Sequence, residues 1–367
     1  MIRVAVGMSV VSIRPKTMQN LDYLFEFSRT NIDFEIQVFN KSGVPLGNFP
    51  KTSNFSIQPV NYESLYQTMA RLDLEGFSHV LWLNDDDSFT LPSEADLSVL
   101  DYNSVVYPEM SICTSTRELA VDWRPIFQSR SRTEAFENYW ATASPLFFCM
   151  LPVNLFRVWI DYIEKMEIHL PHLDTQFNLL AVIQEDRHML SNFSYSYGAE
   201  NWETSEKIIE SSNRYSRELG KGDDFFYCME LIRNIDNVCI LGHYASAFEI
   251  DISESLLRAV LLRFGPLQNG RASRVIFKMI VRNLFPMFLR RQLVLFRITD
   301  FNRKAFYSSL PLELIDFFLG SKVLRTPGEL LEELSKEKIV ECLMVPESMI
   351  ANWRVNLISL ISRTSTD

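Results

Sequence analysis

Residues 79–89, His-Val-Leu-Trp-Leu-Asn-Asp-Asp-Asp-Ser-Phe, constrain this chain more than any other stretch. A short apolar run, long enough for one buried strand, ends abruptly in Asp85, Asp86 and Asp87. Apolar runs of that length mark a strand covered on both faces, as in a parallel sheet. In open α/β sheets, ligands gather at the carboxyl ends of such strands. Three carboxylates at that edge repel one another, raise their own pKa values and need a compensating cation. Hard oxygen ligands favour Mg²⁺ or Mn²⁺, which in turn bind phosphate. A solvated acidic turn is the plain alternative; the position straight after a buried strand favours the metal–phosphate reading.

The sequence around this stretch alternates strand and helix. Residues 4–11 read as a first buried strand. Pro15 suits the first turn of a helix, in which Leu21, Leu24 and Phe25 share a face. Residues 34–39 are a second strand, closed by Asn40-Lys41-Ser42-Gly43, and residues 55–60 a third. Asn61 is placed to cap a helix carrying Leu65, Met69 and Leu72, which Gly76 ends. The order β-α-β-β-α-β with short connections predicts an α/β layered sheet. Beyond the acids, strands are expected at 105–112, 146–151, 187–197 and within 238–248, and helices at 153–166 and 175–183. Asp174 falls where the N-cap of that last helix belongs. From about Ile252 the pattern is helical, ending in a pair of short helices after Pro327. At 367 residues the chain exceeds what one core usually serves, so two domains are expected, 1–250 with the sheet and a helical 251–367.

Charge and cysteine content narrow the function classes. A net charge of −10 argues against nucleic acid as a partner. The five cysteines are scattered, and no Cys-x-x-Cys pair supports a zinc site or a disulfide framework. Reduced thiols in a cytoplasmic setting follow. The first residues lack the pattern of a signal peptide, and arginines interrupt every long apolar run, so a soluble or surface-bound protein is expected.

Taken together, the first strand with Ser-Val-Val-Ser-Ile-Arg-Pro at 9–15, the second strand with its turn at 40–43, and Asn84-Asp85-Asp86-Asp87 resemble a GT-A nucleotide-sugar glycosyltransferase of the bacterial family-2-like group. The similarity is best over residues 2–90, weaker to about 250, and absent from the C-terminal third. The resemblance implies a Rossmann-like mixed sheet flanked by helices. It also implies Mn²⁺ or Mg²⁺, a donor that is a UDP-sugar, and a glycan or lipid-linked acceptor in bacterial surface polysaccharide synthesis. Val11 and Arg14 would line the base pocket, Asp85 would contact the nucleoside, Asp86 would join the donor contacts, and Asp87 would hold the metal. Asn40 stands where the family commonly has an Asp that reads the base, which loosens the assignment of uracil. Asp174 would be the base of an inverting reaction, its alternative being a plain helix cap. His243, expected just beyond a late strand, would be a second metal ligand, its alternative a structural histidine. A degenerate domain serving as a glycan-binding scaffold is the non-enzymatic reading.

One further feature stands outside the resemblance. Residues 271–304 carry nine basic side chains and one acid, +8 against a total of −10, so the remainder of the chain stands at −18. Large apolar residues such as Ile276, Phe277, Ile280 and Phe285 are interspersed. Such a stretch fits an anionic membrane surface at the inner face of the cell membrane, an acidic glycan, or the acidic remainder of the protein.

Overall fold

The computed structural model describes residues 2–47, 49–61, 64–113, 118–142, 148–165, 173–198, 225–264, 326–336 and 345–365. The chain divides into two compact units that interleave in sequence: 1–122, 145–164 and 184–200 form one, and 123–144, 165–183 and 201–367 the other. Segments 123–144, 165–183 and 201–250, all expected within the first domain, group with the C-terminal part.

In the first unit, β1 (Val4–Val10), α1 (Pro15–Thr30), β2 (Phe34–Asn40), β3 (Phe55–Pro59), α2 (Leu65–Met69) and β4 (His79–Asn84) follow the predicted order. They build a sheet of order β3-β2-β1-β4, all parallel, which β8 (Leu151–Pro152) extends antiparallel to β4. β1, β2 and β4 are buried almost throughout, as their continuous apolar runs require. A second sheet contains β5 (Ser88–Thr90), β9 (Arg187–Gly198), β6 (Val105–Cys113) and β7 (Glu118–Ala120) in that spatial order. α3 (Glu94–Leu97) joins β5 to β6, and α6 (Val153–Glu164) follows β8 with Phe156, Ile160 and Ile163 turned inward as predicted. The fold class is thus a mixed α/β sheet, parallel in its core and flanked by helices.

Two local expectations change. α2 is capped by Ser64, not Asn61: the Ser64 hydroxyl accepts from the Gln67 amide, and the Gln67 side chain accepts from the Ser64 amide. This reciprocal box satisfies two otherwise orphaned donors, which Asn61 is too far upstream to do. The helix stops at Met69, and Gly76, at φ +75°, turns the chain into β4. Of the strand expected at 146–151, only Leu151 pairs within a strand among the described residues.

The second unit is helical. It contains α4 (Arg124–Phe127), α5 (Arg132–Thr142), α7 (Leu173–Val182), α8 (Phe225–Phe248), α9 (Glu254–Phe264), α10 (Pro327–Glu333) and α11 (Glu347–Ser362), with β10 (Ile252–Ser253) and β11 (Thr364–Ser365) pairing in parallel. The strand expected within 238–248 is instead the end of the 24-residue α8. Val238-Cys239-Ile240-Leu241 is wholly buried, and a run that is apolar on all sides has no period to separate a strand from a core helix. α8 packs on α7, α9 and α11. At its crossing with α11, a Cβ on Gly242 would lie 2.4 Å from the Asn356 carbonyl oxygen, so glycine is what lets the two backbones meet. The Trp353 indole on α11 donates to Asp236 Oδ1 on α8 at 2.7 Å. Among the described residues no helix is long and apolar enough to cross a membrane. Residues 271–304 lie outside the described residues.

Candidate functional site

The parallel strands end level with one another. Ser9 pairs with Asn84, Val10 with Asn40, and Asn40 with Pro59. β1 lies between β2 and β4, so the chain leaves it first towards one side of the sheet and later returns on the other. Connections at such a switch point diverge and leave a crevice outside the carboxyl ends, where ligands of open α/β sheets bind.

One wall of the crevice is the start of α1. Pro15 occupies its first turn, where a missing N–H costs nothing. Thr17, Asn20, Leu21 and Leu24 share its buried face at helical spacing. The leucines enter the core, whereas the two polar residues one turn earlier meet the acidic turn. The Asn20 amide donates to the carbonyls of Asp85 and Asp87, each at 2.9 Å, and so clamps the turn's backbone. The Thr17 hydroxyl donates to Asp85 Oδ2 at 3.1 Å. Arg14, just before the helix, pairs with the exposed Asp86. Val11 and Ile13 stand exposed beside it.

The three acids occupy three environments. Asp86 faces solvent with Arg14. Asp85 is half-buried, and burial pushes its carboxyl up to about 6; the Asp86 charge adds to the rise, while the Thr17 hydrogen bond and Arg14 oppose it. Asp87 is only 4% exposed and points inward. Its Oδ2 accepts from the Tyr195 hydroxyl at 2.6 Å and from the Asn84 amide at 2.9 Å, and its Oδ1 accepts from the Gly198 N–H at 2.8 Å. Burial raises its pKa as well, against the pull of these three donors. A Cβ on residue 198 would come within 3.3 Å of Asp87 Oδ1, so glycine permits the short backbone contact. Tyr195 is itself buried, with its ring stacked on Phe148 at 3.9 Å between centroids. The second sheet thereby grips the acidic turn that ends the first.

The fold brings Val11, Arg14, Asp85 and Asp86 to one edge of the sheet. Asn40 reaches the same edge but serves its own loop: its Nδ2 donates to the Val44 carbonyl, and its Oδ1 accepts from both the amide and the hydroxyl of Ser42. That is an Asx turn, and it occupies the acceptor a base would use. Asp174 and His243 belong to the second unit. Asp174 is the second residue of α7, inside the helix and not its cap. His243 is half-buried within α8 and not beyond a strand. Thr17, Asn20, Tyr195 and Gly198 were not read from the sequence as site residues. Thr17 and Asn20 had a signal, two polar residues at helical spacing with Leu21 and Leu24; Tyr195 had none beyond the alternation of β9.

Among the described residues no group of three or more His, Cys, Asp or Glu is arranged to hold a metal ion. The acidic turn still fits Mg²⁺ or Mn²⁺, because such ions commonly take one or two carboxylates and complete their shell with water and substrate phosphate. Asp85 and Asp86 are the carboxylates at hand, while Asp87 is engaged by three protein donors.

Fold and site define an open α/β protein with an acidic turn at the switch point of its sheet. No known protein family matches the chain, and no curated protein matches it either. Solved structures of S. aureus TarS are similar in parts. Its residues 1–349 match at 12% identity with a TM-score of 0.38, covering 98% of this chain and 92% of that one. The same fragment in complex with UDP-GlcNAc matches at 12% identity with a TM-score of 0.42 and the same coverage. Likeness at this level leaves the site to be read from its own geometry.

Proposed function

We propose that the chain is a metal-dependent glycosyltransferase that moves a sugar from a nucleotide sugar, in the first instance a UDP-sugar, to a glycan or lipid-linked acceptor of a bacterial surface polysaccharide. One observation carries the reading: Arg14, Thr17, Asp85 and Asp86 converge at the carboxyl edge of β1 and β4, where a parallel sheet presents its ligand crevice. Leaving-group departure from a nucleotide sugar builds negative charge on a diphosphate, and a site for it must supply cationic charge without excluding the substrate.

Asp85 and Asp86 are the residues that would hold the cation, with Asp87 keeping the turn in shape. The bound ion would supply electrostatic stabilisation of the departing diphosphate. Arg14 is the second cationic group. Its pairing with Asp86 is solvent-exposed and contributes at most about 1 kcal/mol, so exchange of its partner for a phosphate oxygen is inexpensive. Val11 and Ile13 offer apolar surface beside it for the face of a nucleobase. The transfer is read as inverting, which needs a carboxylate to take the proton of the acceptor hydroxyl, the role that the sequence resemblance gives Asp174.

Calorimetric titration of UDP with and without Mn²⁺, on wild type, Asp86→Ala and Asp174→Asn, tests the reading. Binding should require the metal and weaken at least tenfold in Asp86→Ala. Asp174→Asn should bind UDP normally yet transfer sugar about 10²–10³-fold more slowly, the usual cost of losing one such catalytic contact. Failure of UDP, GDP, CMP and dTDP alike to bind would remove the transferase reading.

A further inference from the structure

A second concave surface of the first unit shares no residue with the acidic crevice. A groove of about 390 Å³ runs between the connection from α2 to β4 and the helix α6. Met69, Leu72, Phe156 and Ile160 line its floor, each no more than 9% exposed, so the apolar surface it offers is small beside its polar rim. Its exposed rim carries Asp73 and Glu75 on one side and Asp161 and Glu164 on the other. Arg157 is the only cation lining it, and one of its guanidinium nitrogens donates to the Leu74 carbonyl at 3.3 Å, bridging the two walls. Four carboxylates against one guanidinium over an apolar floor select an occupant with apolar bodies and cationic tips. Arginine and lysine stems interspersed with large aliphatic and aromatic residues have that chemistry.

The same chain supplies such a stretch. Residues 271–304 carry +8 with interspersed Ile, Phe and Leu, against −18 elsewhere, so this stretch of one copy complements the acidic rim of another although each whole chain stands at −10. We propose that this groove is the docking site for the basic 271–304 segment of a second copy of the chain. The inference does not depend on the transferase reading. The contact rests on charged groups at an exposed rim, so the association is weak and salt-sensitive.

Sedimentation velocity on the full chain at 5–100 μM, an order-of-magnitude range for weak contacts, tests it at low and high salt. Wild type should self-associate at about 50 mM salt and return to monomer at about 500 mM. Asp161→Lys/Glu164→Lys should raise the dissociation constant about tenfold or more, since it turns two attractive contacts into repulsive ones. Asp22→Lys/Glu26→Lys, the same charge change on the exposed side of α1, should leave association within about threefold of wild type. Added peptide 271–304 should dissociate the wild-type assembly. A monomer under all conditions, undiminished association of the rim variant, or equal loss in both double variants would overturn the proposal. Near-ultraviolet dichroism of each variant separates loss of docking from loss of fold.

Discussion

Tyr195→Phe isolates the contact on which the shape of the acidic turn depends. The substitution removes one oxygen and keeps the ring, so the stacking on Phe148 at 3.9 Å and on Phe89 at 6.2 Å is preserved. What is lost is a 2.6 Å hydrogen bond to the buried Asp87 carboxylate and a longer one, 3.3 Å, received from the Asn84 amide. A hydrogen bond to a charged group contributes about 1.5–3 kcal/mol. Asp87 retains Gly198 N–H and the Asn84 side chain, which argues for a net loss near 2 kcal/mol and against collapse of the turn. That corresponds to about a 30-fold rise in local opening. Native-state hydrogen exchange should show it in peptides spanning 84–90 and 193–198, with α8 unchanged. There is a pH signature too. Burial already raises the Asp87 pKa in the folded state, so the folded protein holds that proton more tightly than the unfolded chain does. Stability linked to Asp87 is therefore full below the usual carboxylate pKa and falls as pH rises through the folded value. Removing a donor that favours the ionised form should deepen that fall. Protection within about 0.5 kcal/mol of wild type at pH 7, with no change in pH dependence, would refute the role assigned to this bond.

Two more predictions follow from the geometry. Asp85, with its pKa pushed to about 6, should make the protein less stable as pH climbs from 4 to 6 and flat above that; Asp85→Asn should remove this slope and be more stable than wild type at pH 7, as denaturant unfolding at stepped pH would show, whereas an unchanged slope would assign it to other groups. Gly242→Ala should cost about 1–3 kcal/mol, because its methyl would meet the Asn356 carbonyl at 2.4 Å, and the loss should appear in thermal unfolding with α8 and α11 exchanging faster; a neutral outcome would mean the helices separate without penalty.

The sequence was most legible where structure is local. The apolar runs at 4–10, 34–40 and 79–84 became parallel neighbours, and the acids ended up at the predicted edge. Pro15 began its helix, since proline at a first turn is a matter of a single residue's geometry. Legibility failed where periodicity carries no information. The buried run at 238–241 is apolar on every side, so a strand and a core helix look alike. It failed again at the cap of α2, where Asn61 and Ser64 are both good caps and Gln67 three residues on favoured Ser64.

By itself, then, the sequence determined which segments are strands of a parallel core, and that three carboxylates follow the fourth. Hydrophobic period and turn chemistry act over a few residues and can be read without knowing the fold. Tertiary structure alone decided that the three carboxylates differ: one faces solvent with Arg14, one is half-buried against Thr17, and one is held by Tyr195 and Gly198, 108 and 111 positions away. A carboxylate's charge, pKa and free lone pairs depend on burial and on donors brought in from distant strands. Those quantities exist only once the second sheet has closed on the end of the first.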